Sequence, residues 1–286
     1  MNYRHDFHAG NFADVFKHII LVRVLLHLVK KETPFRYIDT HAGSGFYDLF
    51  GAQATRTQEW HAGLGRLLSA ANVPAETQAL IEPYLQLVAS AIQQTPGGGH
   101  GLYPGSPAIA AALLRSQDRM IYCELHPEAV RELQDYFARE RRAKIIDKDG
   151  FKALNAFVPP VERRGVILID PAYEQRDDFE RGLQVLEAAR RKWNTGIFML
   201  WYPIKDQREA DVIFRHFATG KIKRVLRLEM QMADPVPDGP LVSNGLLIVN
   251  PPFPLAAEAE LILPFLTQTL AAGPAAKQKI EWLAGE

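Results

Sequence analysis

Beyond residue 119 the chain switches repeatedly between short runs rich in β-branched and aromatic residues and longer amphipathic stretches, a rhythm that few folds accommodate. Strand-like runs at 120–125, 144–148, 166–170 and 197–202 are separated by helical patterns at 127–139, after Gly150, at 179–193 and at 208–217. A helix between two strands is the usual crossover that makes them parallel neighbours. An earlier strand, 35–39, runs into Gly43-Ser44-Gly45. These features predict an α/β domain with a doubly wound, mostly parallel sheet. The last two strand runs, 224–232 and 246–249, break the rhythm. Only a Pro-, Gly- and Asp-rich stretch without helical spacing joins them, so they should be antiparallel neighbours. The expectation is seven strands with an antiparallel last one.

One segment stands outside the alternation. Helical patterns at 59–70 and 76–94, the second with Leu80, Ile81, Tyr84, Leu85, Val88 and Ile92 on one stripe, lie between Gly51 and Thr95-Pro96-Gly97-Gly98-Gly99. Residues 48–102 therefore read as a small helical subdomain inserted into a sheet domain made of 1–47 and 103–286. Near the start, Asn11 can cap a helix carrying Val15, Phe16, Ile19, Leu25 and Leu26, with Asp14 in its first turn.

Composition excludes several classes. The chain of 286 residues has 33 Lys and Arg against 33 Asp and Glu, so total charge does not announce a nucleic-acid binder. Any such contact must be a local patch: Arg139, Arg141, Arg142 and Lys144; Arg163 and Arg164; Arg190, Arg191 and Lys192; or Lys221, Lys223, Arg224 and Arg227. Each alone reads as a solvated face. The single cysteine, Cys123, rules out an internal disulfide and a C-x-x-C motif. The first residues lack the layout of a secretory signal. The apolar run at 19–29 contains Arg23 and His27 and is shorter than the ~20 residues of a membrane span. A cytoplasmic protein without a membrane segment is expected.

Four strand ends carry chemistry. Asp39-Thr40-His41-Ala42-Gly43-Ser44-Gly45 offers backbone that a ligand can approach closely, although His41 stands where a full G-x-G-x-x-G would have its first glycine. Glu124 sits where dinucleotide-type folds place a ribose-binding carboxylate, provided the insertion accounts for the long gap from the glycines. Asp149-Gly150 ends the third strand, where a carboxylate can meet an adenine amino group. A helix cap is the bland reading of that pair. The fourth signal, Asp170-Pro171-Ala172-Tyr173, resembles the Asp/Asn-Pro-Pro-Tyr/Phe motif of amino-group methyltransferases. An adenine amino nitrogen is a weak nucleophile because its lone pair is drawn into the ring. Acceptors at the Asp170 carboxylate and Pro171 carbonyl could hold both N–H groups and turn the lone pair toward a methyl donor, while Tyr173 stacks on the base. Asn250-Pro251-Pro252-Phe253 matches the motif better residue for residue. It follows a strand expected to be antiparallel, whose carboxyl end faces away from the ligand crevice, so Asp170 is preferred.

Tyr3-Arg4-His5-Asp6-Phe7-His8-Ala9-Gly10-Asn11, Asp14-Val15-Phe16-Lys17-His18, Asp39-Thr40-His41-Ala42-Gly43, Tyr103-Pro104-Gly105-Ser106-Pro107, Glu124-Leu125-His126-Pro127, Asp149-Gly150-Phe151 and Leu200-Trp201-Tyr202-Pro203 together resemble the RlmJ family of bacterial 23S ribosomal RNA adenine-N6 methyltransferases. The resemblance spans nearly the whole chain. It implies a Rossmann-like class I methyltransferase fold with an inserted helical subdomain. It further implies S-adenosylmethionine as cofactor, contacted by His18, His41, Ser106, Glu124, Asp149, Gly150 and Asp170. Asp170, Pro171 and Tyr173 are then the catalytic group, and Tyr3, His5 and Lys17 lie near the cofactor and substrate entrance. The implied partner is 23S rRNA in a protein-free or early assembly form, methylated at one adenine by a monomer, with no metal. Ala172 departs from the family's second proline, which bears on the rate. Two other readings fit the sheet: a nicotinamide-dependent oxidoreductase, and a catalytically silent RNA-binding relative. His5, His8 and His18 suggest a metal site only weakly, without cysteine or closely spaced carboxylates. Ser106-Pro107 also suits a helix start, with Ser at the cap.

Overall fold

The computed structural model describes residues 4–93, 101–219, 222–236 and 239–285. In chain order the elements are a 3-10 turn at His5–Phe7, α1 (Phe12–Val29), β1 (Arg36–Asp39), β2 (Phe46–Asp48), α2 (Ala52–Thr57), a π turn at His61–Gly65, α3 (Arg66–Leu68) and α4 (Ala75–Gln93). They continue with β3 (Leu102–Pro104), α5 (Ser106–Leu113), β4 (Arg119–Glu124), α6 (Pro127–Tyr136), β5 (Ala143–Asp147), α7 (Gly150–Phe157), β6 (Gly165–Ile169) and α8 (Asp178–Lys192). The last are β7 (Ile197–Pro203), α9 (Gln207–Thr219), β8 (Val225–Gln231), β9 (Ser243–Val249), α10 (Leu255–Leu270) and β10 (Lys277–Ala284).

The main sheet has the order β10-β8-β9-β7-β6-β1-β4-β5. β1 pairs in parallel with both β4 and β6, β5 extends one wing from β4, and β7 extends the other from β6. The chain thus leaves β1 on one side and returns on the other, opening a crevice at the carboxyl ends of β1 and β6. As expected, β8 and β9 are antiparallel. β9 also lies antiparallel to β7, wedged between β7 and β8. The fold is the Rossmann-like class I methyltransferase arrangement, with one correction: the sheet has eight strands, not seven. The additional β10 pairs antiparallel with β8 at the edge. Its residues alternate poorly between covered and open positions, because its apolar side chains are divided between the two faces of the sheet, Ile280 against one cluster and Leu283 and Ala284 against the other.

Asn11 caps α1 by accepting hydrogen bonds from the Ala13 and Asp14 amides. α1 is buried on most sides, packing against α5, α4 and α10. Its buried polar residues Asp14, Lys17 and His18 are thereby committed to internal partners. Between the short antiparallel pair β2 and β3 lie α2, α3 and α4. The helix expected at 59–70 runs continuously over 59–68, with the π turn at His61–Gly65 inside it. There Gly63 presses against the N-terminal segment so closely that a Cβ would lie 2.3 Å from the Gly10 carbonyl oxygen, and Leu64 N–H donates to that same oxygen at 2.9 Å. This contact between segments accounts for the local widening of the helix. No helix among the described residues is long and apolar enough to cross a membrane.

Candidate active site

Four neighbouring parallel strands end at the crevice on or beside an acid: β1 on Asp39, β4 on Glu124, β5 on Asp147 and β6 just before Asp170. A cavity of about 500 Å³ opens there, lined among others by His5, Lys17, His18, His41, Ser106, Glu124, Asp170, Pro171, Ala172 and Tyr173. Asp149 and Gly150 line a smaller neighbouring cavity of about 210 Å³, which shares His41, Pro171 and Ala172 with the first. Of the residues singled out in the sequence, Tyr3, Lys221 and residues 95–99 lie outside the described residues.

Asp170 is held by Lys17, whose Nζ stands 2.6 Å from Asp170 Oδ2 and 2.9 Å from Asp14 Oδ1. Asp14 Oδ2 in turn accepts from the Gly10 amide and lies 2.8 Å from His5 Nε2. The Lys17 ammonium is buried, but the charges of Asp14 and Asp170 outweigh desolvation and hold its pKa above the ordinary lysine value. For Asp14, burial opposes ionisation, yet His5, Lys17 and His18 keep its carboxyl well below the usual range. His18, buried beside Lys17 and donating to or accepting from the Tyr103 hydroxyl at 2.8 Å, has its pKa lowered to about 3, chiefly by desolvation. It is a neutral imidazole at physiological pH.

Tyr173 adopts φ +54°, a left-handed conformation that costs a non-glycine residue energy. Its hydroxyl donates to the Trp201 carbonyl, and its ring meets Trp201 edge-on at 5.5 Å between centroids. The turn after β6 is therefore pinned at its aromatic end. Trp201 is itself fixed by Nε1 donating to Asn244 at 3.0 Å, and the Lys17 ammonium stands 5.9 Å from its ring.

On the other wing, Glu124 accepts from the amides of Gly43, Leu125 and His126 at 2.7 to 2.8 Å, which fixes the glycine loop to the end of β4. Gly43, at φ +63°, has no room for a Cβ, which would lie 2.0 Å from the Tyr47 hydroxyl. Gly150 is required by a different contact: its Cβ would lie 1.8 Å from the Thr40 carbonyl oxygen, so α7 begins hard against the end of β1. The bland reading of Asp149 holds, since Oδ1 caps α7 through the Phe151 and Lys152 amides. Its Oδ2 lies 3.5 Å from Arg181. His41 packs edge-on against Phe151 and contacts Thr40 Oγ1 at 2.8 Å, and burial lowers its pKa.

Ser106 departs from expectation. Gly105, not Ser106, is the N-cap of α5, and the serine makes no capping bond. Its hydroxyl instead donates to Asp39 Oδ2 at 2.7 Å, as does that of Tyr37. Asp39 is wholly buried, and this arrangement was not foreseen. Its only sequence signal is a carboxylate at the end of an apolar strand. Burial pushes its pKa up to about 6, against the opposing bonds from Ser106 and Tyr37 and with help from the charge of Asp170. In sequence Asp14 reads as a first-turn helix acid, whereas the structure makes it the centre of a buried cluster.

The rival motif lies elsewhere. Asn250 follows β9 where that strand pairs with the start of β7, at the edge opposite the crevice. Its amide donates to the Asn194 and Gly196 carbonyls. The three N-terminal histidines go to three separate partners, Asp14, Glu59 and Tyr103. Among the described residues no group of three His, Cys, Asp or Glu is arranged to hold a metal ion.

Comparison with known proteins gives a consistent set of matches. The family model described as "RsmJ: Ribosomal RNA large subunit methyltransferase D, RlmJ" matches residues 32–284. The chain is 36% identical to a "Ribosomal RNA large subunit methyltransferase J" of Haemophilus influenzae and 35% identical to that of Escherichia coli strain K12, each over the full length of both chains. Among solved structures, protein LPL1258 from Legionella pneumophila is 34% identical, with a TM-score of 0.84 over 96% of this chain and 98% of the other.

Proposed function

Because the chain belongs to the RlmJ family of ribosomal RNA large subunit methyltransferases, we propose that it transfers a methyl group from S-adenosylmethionine to the exocyclic N6 amino group of one adenine in 23S rRNA, taken in protein-free or early-assembly form. The observation that carries this reading is the meeting of Asp170-Pro171-Ala172-Tyr173 with Glu124 and the glycine loop around one crevice. The residues present fit the cofactor. Glu124 and Ser106 offer polar atoms to the larger cavity, the backbone at Gly43 is bare, and Asp149 and Gly150 line the smaller one. When bound, S-adenosylmethionine supplies an electrophilic methyl group.

The chain's own residues do the rest. Asp170 and the Pro171 carbonyl accept the two amino hydrogens, which frees the nitrogen lone pair from the ring. Lys17 occupies Asp170 Oδ2, holding the carboxylate in one orientation and leaving Oδ1 to face the amino group. The proton lost after transfer passes to Asp170 or to water, and no strong base is needed beforehand. Tyr173, locked through its hydroxyl, presents a fixed ring for stacking, worth roughly 1–3 kcal/mol per base. His5 joins the Asp14–Lys17 chain at the cavity wall.

The test is transfer of labelled methyl groups to deproteinised 23S rRNA, followed by mapping of the modified base. Asp170→Ala, which removes the accepting oxygens, should lower transfer by at least about a hundredfold while S-adenosylmethionine binding persists. Transfer by that variant at the wild-type rate, or label on a base other than adenine, would overturn the reading.

A further inference from the structure

The neutral total charge conceals a sorting of charge along the strand axis. The parallel strands β1, β4, β5, β6 and β7 begin at the edge opposite the crevice, and β8 begins there too. The segments that lead into them, residues 30–36, 115–119, 139–144, 161–164, 190–192 and 222–224, hold sixteen of the 33 Lys and Arg but four of the 33 Asp and Glu. Three of those four acids are matched internally: Asp118 by Arg115, Glu140 by Arg142 and Glu162 by Arg36. Exposed cations remain on this edge, with Lys31, Arg139, Arg141, Lys144, Arg163 and Lys192 spanning it.

Helix ends explain only part of this. Basic residues are favoured in the last turn of a helix by its dipole, and Arg190, Arg191 and Lys192 close α8 in that way. The effect fades within a turn, whereas Arg141, Lys144 and Arg163 lie in connections or on a strand start more than a turn beyond the nearest helix end. From β5 to β8 the edge crosses seven strands about 4.8 Å apart, a ridge of roughly 29 Å. Its opposite is the crevice edge, where the strands end on acids that repel phosphate.

We infer that this basic edge is a second RNA-binding surface, which takes the phosphate backbone of substrate RNA outside the target nucleotide. The inference rests on the function proposed above. Charge complementarity favours RNA, because a ridge of separated cations across six connections matches a polyanion rather than a small ligand. Strands of four to seven residues at about 3.3 Å each put at least about 13–23 Å between the two edges, so a short hairpin seated in the crevice does not reach the ridge, while a large folded RNA does.

The experiment uses two triple variants of the full chain: Arg139→Gln/Arg141→Gln/Lys144→Gln and Arg163→Gln/Arg191→Gln/Lys192→Gln. Each is assayed on deproteinised 23S rRNA and on a short hairpin cut around the mapped methylation site. Melting temperature and S-adenosylmethionine binding should match wild type. On the long RNA, KM should rise about tenfold or more and the slope of log Kd against log salt should fall by about 2–3, some 0.7–0.9 per lost phosphate contact. On the hairpin, kcat and KM should not change. Wild-type KM and salt slope in both variants on long RNA would overturn the inference, as would an equal loss on both RNAs. So would loss of binding to phosphatidylglycerol vesicles with RNA kinetics intact, since that outcome identifies a membrane surface. A wild-type protein that methylates neither RNA would instead sink the proposed function, which keeps the two failures apart.

Discussion

Asp39→Asn should stabilise the protein by an amount that depends on pH, because the wild-type carboxylate is ionised at a cost. Its pKa is raised from the ordinary 3.8 to about 6 in the folded chain, so the folded state binds its proton more tightly than the unfolded state. The sign follows. Wild type gains stability from this group as pH falls toward 4 and loses it as pH rises through about 6. At 1.36 kcal/mol per unit of pKa, the ionised group costs about 3 kcal/mol well above pH 6. At pH 4.5 most of that cost is gone from the native state, leaving about 1 kcal/mol, so the gap between variant and wild type should widen by about 2 kcal/mol from pH 4.5 to 7.5. The asparagine oxygen can still accept from Ser106 and Tyr37, while its amide faces the His41 amide, a bond already long at 3.3 Å. That loss, on the order of 1 kcal/mol, offsets the gain at both pH values and leaves the pH dependence intact. Urea unfolding of both proteins at the two pH values measures it. A gap that stays constant within about 0.5 kcal/mol would refute the reasoning, and Asp170→Asn should narrow the gap by lowering the Asp39 pKa.

Other outcomes follow from the same geometry. Lys17→Met leaves the buried Asp14 and the Asp170 carboxylate without their shared cation and should cost about 3–5 kcal/mol in urea unfolding, with Lys17→Met/Asp14→Asn recovering part of it. Gly150→Ala must push α7 off the Thr40 carbonyl, so it should destabilise by roughly 1–3 kcal/mol and weaken S-adenosylmethionine binding in calorimetry. Asn250→Ala should lower the melting temperature through its two lost carbonyl contacts yet leave the methyl-transfer rate within about twofold, given that it stands at the far edge of the sheet.

Much of the sheet was legible because each parallel strand is announced by a local pattern and followed by a helix. The antiparallel pairing of β8 and β9 was legible for the opposite reason, the absence of any helical pattern between them. Glu124 and Asp170 could be placed at strand ends from the alternation alone, but their order along the crevice follows from the sheet order β6-β1-β4-β5. What escaped depends on contacts between distant segments. β10 is an edge strand whose apolar residues are divided between two faces, the π turn answers to the approach of Gly63 to Gly10, and the Ser106 hydroxyl turns to Asp39 across 67 residues of sequence. The Asp14–Lys17–Asp170 chain likewise joins the start of α1 to the end of β6. An acid in a first helical turn has a sufficient local explanation, so nothing in the sequence demands a longer-range one.

Strand direction carries the heaviest inference, and it does so twice. Two segments compete for the same motif, and Asn250-Pro251-Pro252-Phe253 is the better match by residue type. β9 runs against β6, so the two segments emerge at opposite edges, and the worse match is the one that shares a cavity with Glu124 and the glycine loop. The same direction sorts the charges, with strand starts basic and strand ends acidic. Summing over the chain cancels the two edges and gives zero, which describes neither surface. Reading function from this chain therefore requires knowing which end of each strand a residue occupies. Residue type and total charge, taken without that direction, select the proline motif at the edge away from the cavity and hide the basic ridge.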